Sequence, residues 1–141
     1  MSDKKDKSFY EFDRNYPALK WFKSKEFDSP DKPGSGKLMC PNFLRKLDEA
    51  RDKAKISFKI NSGYRTKEYN EDLLRRGFKA SKKSSHLKGL AADISTRTSK
   101  ERFLVIVSLM SVGFTRFGIG ETFVHVDDDQ DKAANVMWHY Y

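Results

Sequence analysis

The chain has 141 residues, with 28 Lys or Arg against 20 Asp or Glu, a net charge of +8 and a pI near 9.5. That length suits one domain with a core of its own, and the single cysteine, Cys40, excludes an intrachain disulfide and a four-cysteine metal site. The basic balance favours polyanionic partners, and charge alone does not separate nucleic acid from an anionic bacterial cell wall.

Residues 1–8 read as a flexible tail and 9–141 as the domain. The tail is charged and no apolar run follows it, so no signal peptide is expected. The longest apolar run, around 103–106, is far too short to span a bilayer. Synthesis in the cytoplasm, no membrane insertion and a monomer are the expectations. The stretch 9–27 is rich in aromatics without helical period, which predicts irregular structure packed on the domain, and 29–36 is a loop by composition.

Pro41 suits the first turn of a helix. Phe43, Leu44, Leu47, Ala50 and Ala54 recur at helical spacing behind it. Residues 56–61 alternate as a half-buried strand does. After a turn at 62–65, Thr66 can cap a second helix ending near Gly77. A basic loop at 78–85 leads to a strand at 90–95. Thr98 and Glu101 have capping-box spacing before an apolar helix that stops at Gly113. Strands at 114–119 and 122–127 follow, joined through Gly118 and Gly120, with a short terminal strand at 138–141. This mixture predicts an α+β fold, a small antiparallel sheet flanked by helices.

Strand parity picks out a candidate site. Leu90, Ala92 and Ile94 share one face of their strand, and Val124 and Val126 one face of theirs. Asp93 and His125 then project from the opposite side if the strands belong to one sheet. His86 lies just before, with Gly89 allowing the chain to turn between. Two imidazoles and a carboxylate are the ligands a catalytic zinc uses while one position stays open for water. By spacing alone the ordinary reading is stronger, since a strand histidine is more often a satisfied polar residue than a ligand.

The surrounding motifs change that balance. Ser84-x-His86-x-x-Gly89-x-Ala91-x-Asp93 resembles the first metal motif of the zinc D-Ala-D-Ala carboxypeptidase family, which shares its fold with the hedgehog signalling domain. Phe123-Val124-His125-Val126-Asp127 resembles the second motif, Ser62-Gly63-Tyr64-Arg65-Thr66 the segment that precedes both, and Trp138-His139-Tyr140 the terminal strand. The resemblance runs over residues 26–141 and implies Zn2+ held by His86, Asp93 and His125. It implies Arg65 as the group that binds a substrate carboxylate or the oxyanion, with Ser84 and Tyr64 as further substrate-binding candidates. Ser84 binds substrate or orients His86, with a loop serine that satisfies backbone as the equal alternative, and for Tyr64 packing is favoured over a chemical role.

The expected base departs from the family pattern. Many relatives place an acid three residues before the second histidine, though they differ in where it sits, and here that residue is Thr122. Glu121 is the expected base if the chain bends at Gly120, with Asp127 supporting an imidazole and standing as the alternative base. His139 is expected to pack.

The resemblance implies a peptidase acting on peptidoglycan peptides. It would be a D,D-carboxypeptidase or an L-Ala-D-Glu-type endopeptidase, in a phage an endolysin that reaches the wall after lysis or on the virion. A non-catalytic zinc-binding module of the same fold is the alternative. A nucleic-acid partner is not expected, because the aromatics are not interleaved with basic residues in a stripe.

Overall fold

The computed structural model describes residues 18–141. The expected tail and the first part of the aromatic stretch, with Phe9, Tyr10, Phe12 and Tyr16, lie outside the described residues. Among the described residues three α-helices, α1 (Pro41–Ala54), α2 (Lys67–Arg75) and α3 (Ser99–Ser111), combine with five strands. The strands are β1 (Ile60–Ser62), β2 (Ala91–Ser95), β3 (Arg116–Ile119), β4 (Phe123–Asp127) and β5 (Val136–His139), in the spatial order β1-β2-β4-β3-β5. The α+β class is as the sequence indicated.

The sheet is mixed rather than wholly antiparallel. β1, β2, β4 and β3 pair antiparallel in turn, but β5 pairs parallel to β3. The reason is topological. β2 already occupies the free edge of β4, so the chain leaving β4 must cross to the far side of β3. There it runs in the same direction as β3.

Helix boundaries follow local chemistry. Pro41 occupies the first turn of α1, and Lys55 ends that helix in the left-handed region at φ 59°. The Thr66 hydroxyl accepts from the Tyr69 N–H at 3.0 Å to start α2. The Thr98 hydroxyl accepts from the Glu101 N–H at 3.1 Å to start α3. Residues 56–61 pair less than their alternation suggests. Only Ile60–Ser62 is strand, because the ladder to β2 is irregular between Ile60 and Ser62.

The core lies on one side of the sheet. Ala92, Ile94, Phe117, Val124 and Val126 form one buried cluster with Phe43, Leu44 and Leu47 of α1 and Val105 and Leu109 of α3. Phe27, Phe43, Phe58 and Phe117 are the largest fully buried side chains. Each contributes about 1.5–3 kcal/mol relative to exposure. In α3 the residues turned inward are Val105, Ser108 and Leu109, while Phe103, Val107 and Met110 face outward. The opposite side of the sheet is left for polar chemistry, walled by α2 and the loops around it.

Candidate metal centre

The site stands on a single transverse line of Cα partners. Ser62 pairs with Asp93, Asp93 with His125, His125 with Gly118 and Gly118 with Trp138. All these positions project from the face opposite the core. His86 arrives from outside the sheet, on a 3-10 turn, Ser85–Lys88. The Ser84 hydroxyl accepts from the His86 backbone N–H at 3.2 Å and starts that turn. Gly89 ends it at φ 70°, where a Cβ would also lie 2.4 Å from the Leu38 carbonyl oxygen. Only glycine satisfies both the conformation and the close approach.

His86, Asp93 and His125 offer ligand atoms that all lie within 4.8 Å of one another. The Asp93 Oδ1 is 3.3 Å from His86 Nε2 and 3.0 Å from His125 Nδ1. Each imidazole has its other nitrogen held. His86 Nδ1 is 2.7 Å from the Gly63 carbonyl oxygen, which can only accept, so that nitrogen carries the proton. His125 Nε2 is 2.7 Å from Asp127 Oδ2 and donates to it. In those tautomers the inward nitrogens are bare lone pairs aimed at Asp93. Ligands about 2.0–2.1 Å from a tetrahedral zinc stand about 3.3 Å apart, close to the spacing here. The donor set therefore fits zinc.

The electrostatics differ between the two rings. Burial pushes the His86 imidazole down, outweighing the pull of Asp93, so it is neutral at physiological pH. Burial acts the same way on His125, but hydrogen bonds to Asp127 and Asp93 outweigh it and raise that group; the protonated ring donates from Nδ1 to Asp93, and only the neutral ring offers a bare Nδ1 to a metal. Burial alone would raise Asp93. The neighbouring imidazoles outweigh it and keep the carboxyl well below the ordinary range.

The remaining expected residues divide. The side chain of Arg65 is buried beside the cluster, with Nη2 3.5 Å from Asp93 Oδ2, Nε 3.1 Å from Ser62 Oγ and Nη1 3.2 Å from Asn70 Oδ1. Ser84 lines the same cleft. Tyr64 does not. It packs against the core cluster and lines a separate cavity with residues of α2. His139 is exposed and lies 5.3 Å from the Tyr141 ring.

The two acids considered for the base are placed differently. Glu121 sits at the exposed tip of the β3–β4 turn and is not among the cleft-lining residues. The bend falls after Gly120, whose N–H donates to the Phe123 carbonyl at 2.8 Å, and it carries Glu121 past the end of the sheet rather than back toward the cluster. Asp127 is buried beside the cluster but fully engaged. Its Oδ2 holds His125, and its Oδ1 accepts from Arg116 Nε at 2.6 Å and from the Asp129 N–H at 3.2 Å. Burial would raise its carboxyl, but these donors bring it below the ordinary value.

Arg116 escaped the sequence reading, although a signal existed. It shares strand parity with Gly118, so it had to project from the polar face. Its guanidinium also stacks 5.1 Å over the Trp138 ring. Trp138 in turn lies 5.6 Å from the His125 ring. Gly118 makes this possible, since a Cβ there would fall 2.6 Å from Trp138 Nε1 and 2.7 Å from the Tyr140 hydroxyl. The indole and the phenol occupy the space a side chain would fill. Burial pushes the Tyr140 phenol up, so it stays protonated.

The cluster forms the floor of a cleft of about 980 Å³. Arg65, Lys79, Arg116 and Lys132 line it together with four carboxylates, Glu26, Asp28, Asp93 and Asp127. No curated protein and no solved structure shows significant similarity to the chain. A family model described as Peptidase M15 matches residues 18–127, a span that contains every expected metal ligand and ends at Asp127. The terminal strand that entered the resemblance lies beyond this match. A match over well over half of the length, around a cleft floored by this donor set, shows that the chain belongs to the peptidase M15 family.

Proposed function

We propose that this peptidase is zinc-dependent and hydrolyses peptidoglycan stem peptides, as a D,D-carboxypeptidase or an L-Ala-D-Glu-type endopeptidase. The observation that carries the reading is the pair of imidazoles whose inward nitrogens converge on Asp93. His86, Asp93 and His125 would hold the metal. Bound zinc supplies Lewis acidity, polarising a carbonyl and bringing the pKa of water toward neutrality. Arg65 is pinned by Ser62, Asn70 and Asp93, so its position is set before substrate arrives. A preorganised guanidinium suits a peptide carboxylate or a developing oxyanion. Asp127 keeps the Nε2 proton on His125 and thereby leaves Nδ1 for the metal. The chain's net charge of +8 suits an anionic cell-wall polymer.

Among the described residues no helix is long and apolar enough to cross a membrane. The proposed site of action is the bacterial wall, reached after lysis or on a virion, as an endolysin would. The test is digestion of purified peptidoglycan with and without chelator, alongside His86→Ala, with released fragments identified by mass spectrometry. Loss of cleavage on chelation, regained with zinc, is expected. Cleavage that survives complete zinc removal would falsify the reading.

A second reading has its own observation. Thr122 stands where many relatives carry an acid, Glu121 is outside the cleft, and Asp127 has no free oxygen. That arrangement favours a zinc-binding module without catalysis, recognising the wall or a partner. Under that reading Glu121→Gln and Asp127→Asn leave function unchanged, and the zinc-loaded protein releases no peptide.

A further inference from the structure

Among the described residues both carboxylates beside the cluster, Asp93 and Asp127, are engaged, but other proton-bearing groups stand on the cleft wall. Tyr140 is one of them. Its ring is fixed against Phe123, at 5.4 Å between centroids, and edge-on to Trp138 at 6.3 Å. Its hydroxyl lies where a Cβ of Gly118 would crowd it at 2.7 Å. Gly118 is the Cα partner of His125, so the hydroxyl lies over the strand position next to that histidine, on the wall of the cleft that the cluster floors. The indole N–H of Trp138 lies beside the phenol and can only donate. The phenolic proton then has no acceptor among the described residues. A hydroxyl on a packed ring, beside a group that can only donate and with its own proton free toward the cleft, is built to donate.

We propose that Tyr140 is a catalytic residue whose O–H donates a hydrogen bond to the carbonyl oxygen of the scissile peptide bond as that oxygen takes up charge. The inference rests on the peptidase reading above. Water adds to the carbonyl carbon, the C–N bond breaks, and the amine leaves with a proton from that water. Tyr140 keeps its own proton throughout and only strengthens its hydrogen bond as the oxygen becomes anionic. Arg65 approaches from the β1 side of the sheet and Tyr140 from the β5 side, so the two donors flank the cluster. Residues 128–141 lie outside the family match, so membership does not assign this role.

The test compares Tyr140→Phe with the wild type, both zinc-loaded. The ring contacts survive this change, and zinc content is expected to be equal. Loss of one such donor lowers kcat by about 10²–10³-fold in well-ordered oxyanion sites, and a fall in kcat of at least tenfold with KM within about twofold is expected here. Binding of a phosphinate peptide, a stable tetrahedral mimic, should weaken by a similar factor in calorimetry. Trp138→Phe alters the ring that packs edge-on against Tyr140 and should give a smaller loss in both readouts. A Tyr140→Phe protein that matches an active wild type in kcat and phosphinate affinity overturns the Tyr140 role and leaves the peptidase reading standing. A zinc-loaded wild type that neither cleaves nor binds the phosphinate overturns both.

Discussion

His86 and His125 sit on opposite sides of one carboxylate, yet the protein holds them by different means. His86 is oriented by a backbone carbonyl, that of Gly63, and rides on a turn started by Ser84 and ended by Gly89. His125 is oriented by a side chain, Asp127, which is held in turn by Arg116. The first support is neutral and survives nearly any side-chain change. The second is charged, and substitution reaches it directly. The two rings consequently titrate in opposite directions, although both are buried.

The contrast is weakest for the largest effect. His86→Ala and His125→Ala should each abolish zinc retention on dialysis and reduce cleavage to background. Unequal residual zinc in the two would mean that one ring is not a ligand. The next effect separates the rings. Asp127→Ala should lower zinc affinity by about 10–100-fold, the usual consequence of removing a carboxylate behind a metal-binding imidazole. Competition titration with a chelating dye would measure it, and an unchanged affinity would mean that Asp127 does not support His125. On the His86 side the corresponding lesion is in the backbone. A Cβ at Gly63 would lie 2.7 Å from Phe27 Cα, so Gly63→Ala must shift main chain. It should cost about 1–3 kcal/mol of stability, read as a lowered Tm, with zinc affinity reduced as the carbonyl moves.

The smallest effect is in the pH dependence of the metal-free protein. His125 is raised in the fold, so its contribution is full below about pH 6.5, the ordinary value. It is lost as pH rises through the folded value. His86 is lowered, so its contribution is present above about pH 6.5 and is lost as pH falls toward the folded value. Tm measured in chelator should therefore decline on both sides of about pH 6.5. His125→Gln should remove the alkaline decline, and His86→Gln should flatten the acid one. Loss of the same limb in both variants would show that the rings do not differ.

Much of this arrangement was legible in the sequence, for a physical reason. Alternation along a strand is a local rule, so Val124 and Val126 inward fixed His125 and Asp127 outward before any partner strand was known. Ala92 and Ile94 did the same for Asp93. Capping was equally local at Thr66 and Thr98. What could not be read depended on which strands meet. Arg116 reaches Asp127 because Phe117 pairs with Val126, and Trp138 reaches His125 because β5 crosses to the far edge of β3. The placement of Glu121 turned on the exact bend after Gly120. The inward face of α3 was also hidden, since a helix apolar almost all round carries no periodic signal to choose Val105 and Leu109 over Phe103 and Val107. Which nitrogen of each imidazole stays bare is set by Gly63 and Asp127, neither of which announces that role in sequence.

The transverse line from Ser62 through Asp93, His125 and Gly118 to Trp138 makes the site a gauge of shear. One residue of slip between neighbouring strands would turn a ligand to the wrong face, and a slip of two would carry it roughly 7 Å along the strand, at about 3.3 Å per residue. An ion gripped by Asp93, His125 and the turn bearing His86 would act as a rivet through β2, β4 and the segment that precedes them. Sliding of the strands would then require the rivet to be drawn first.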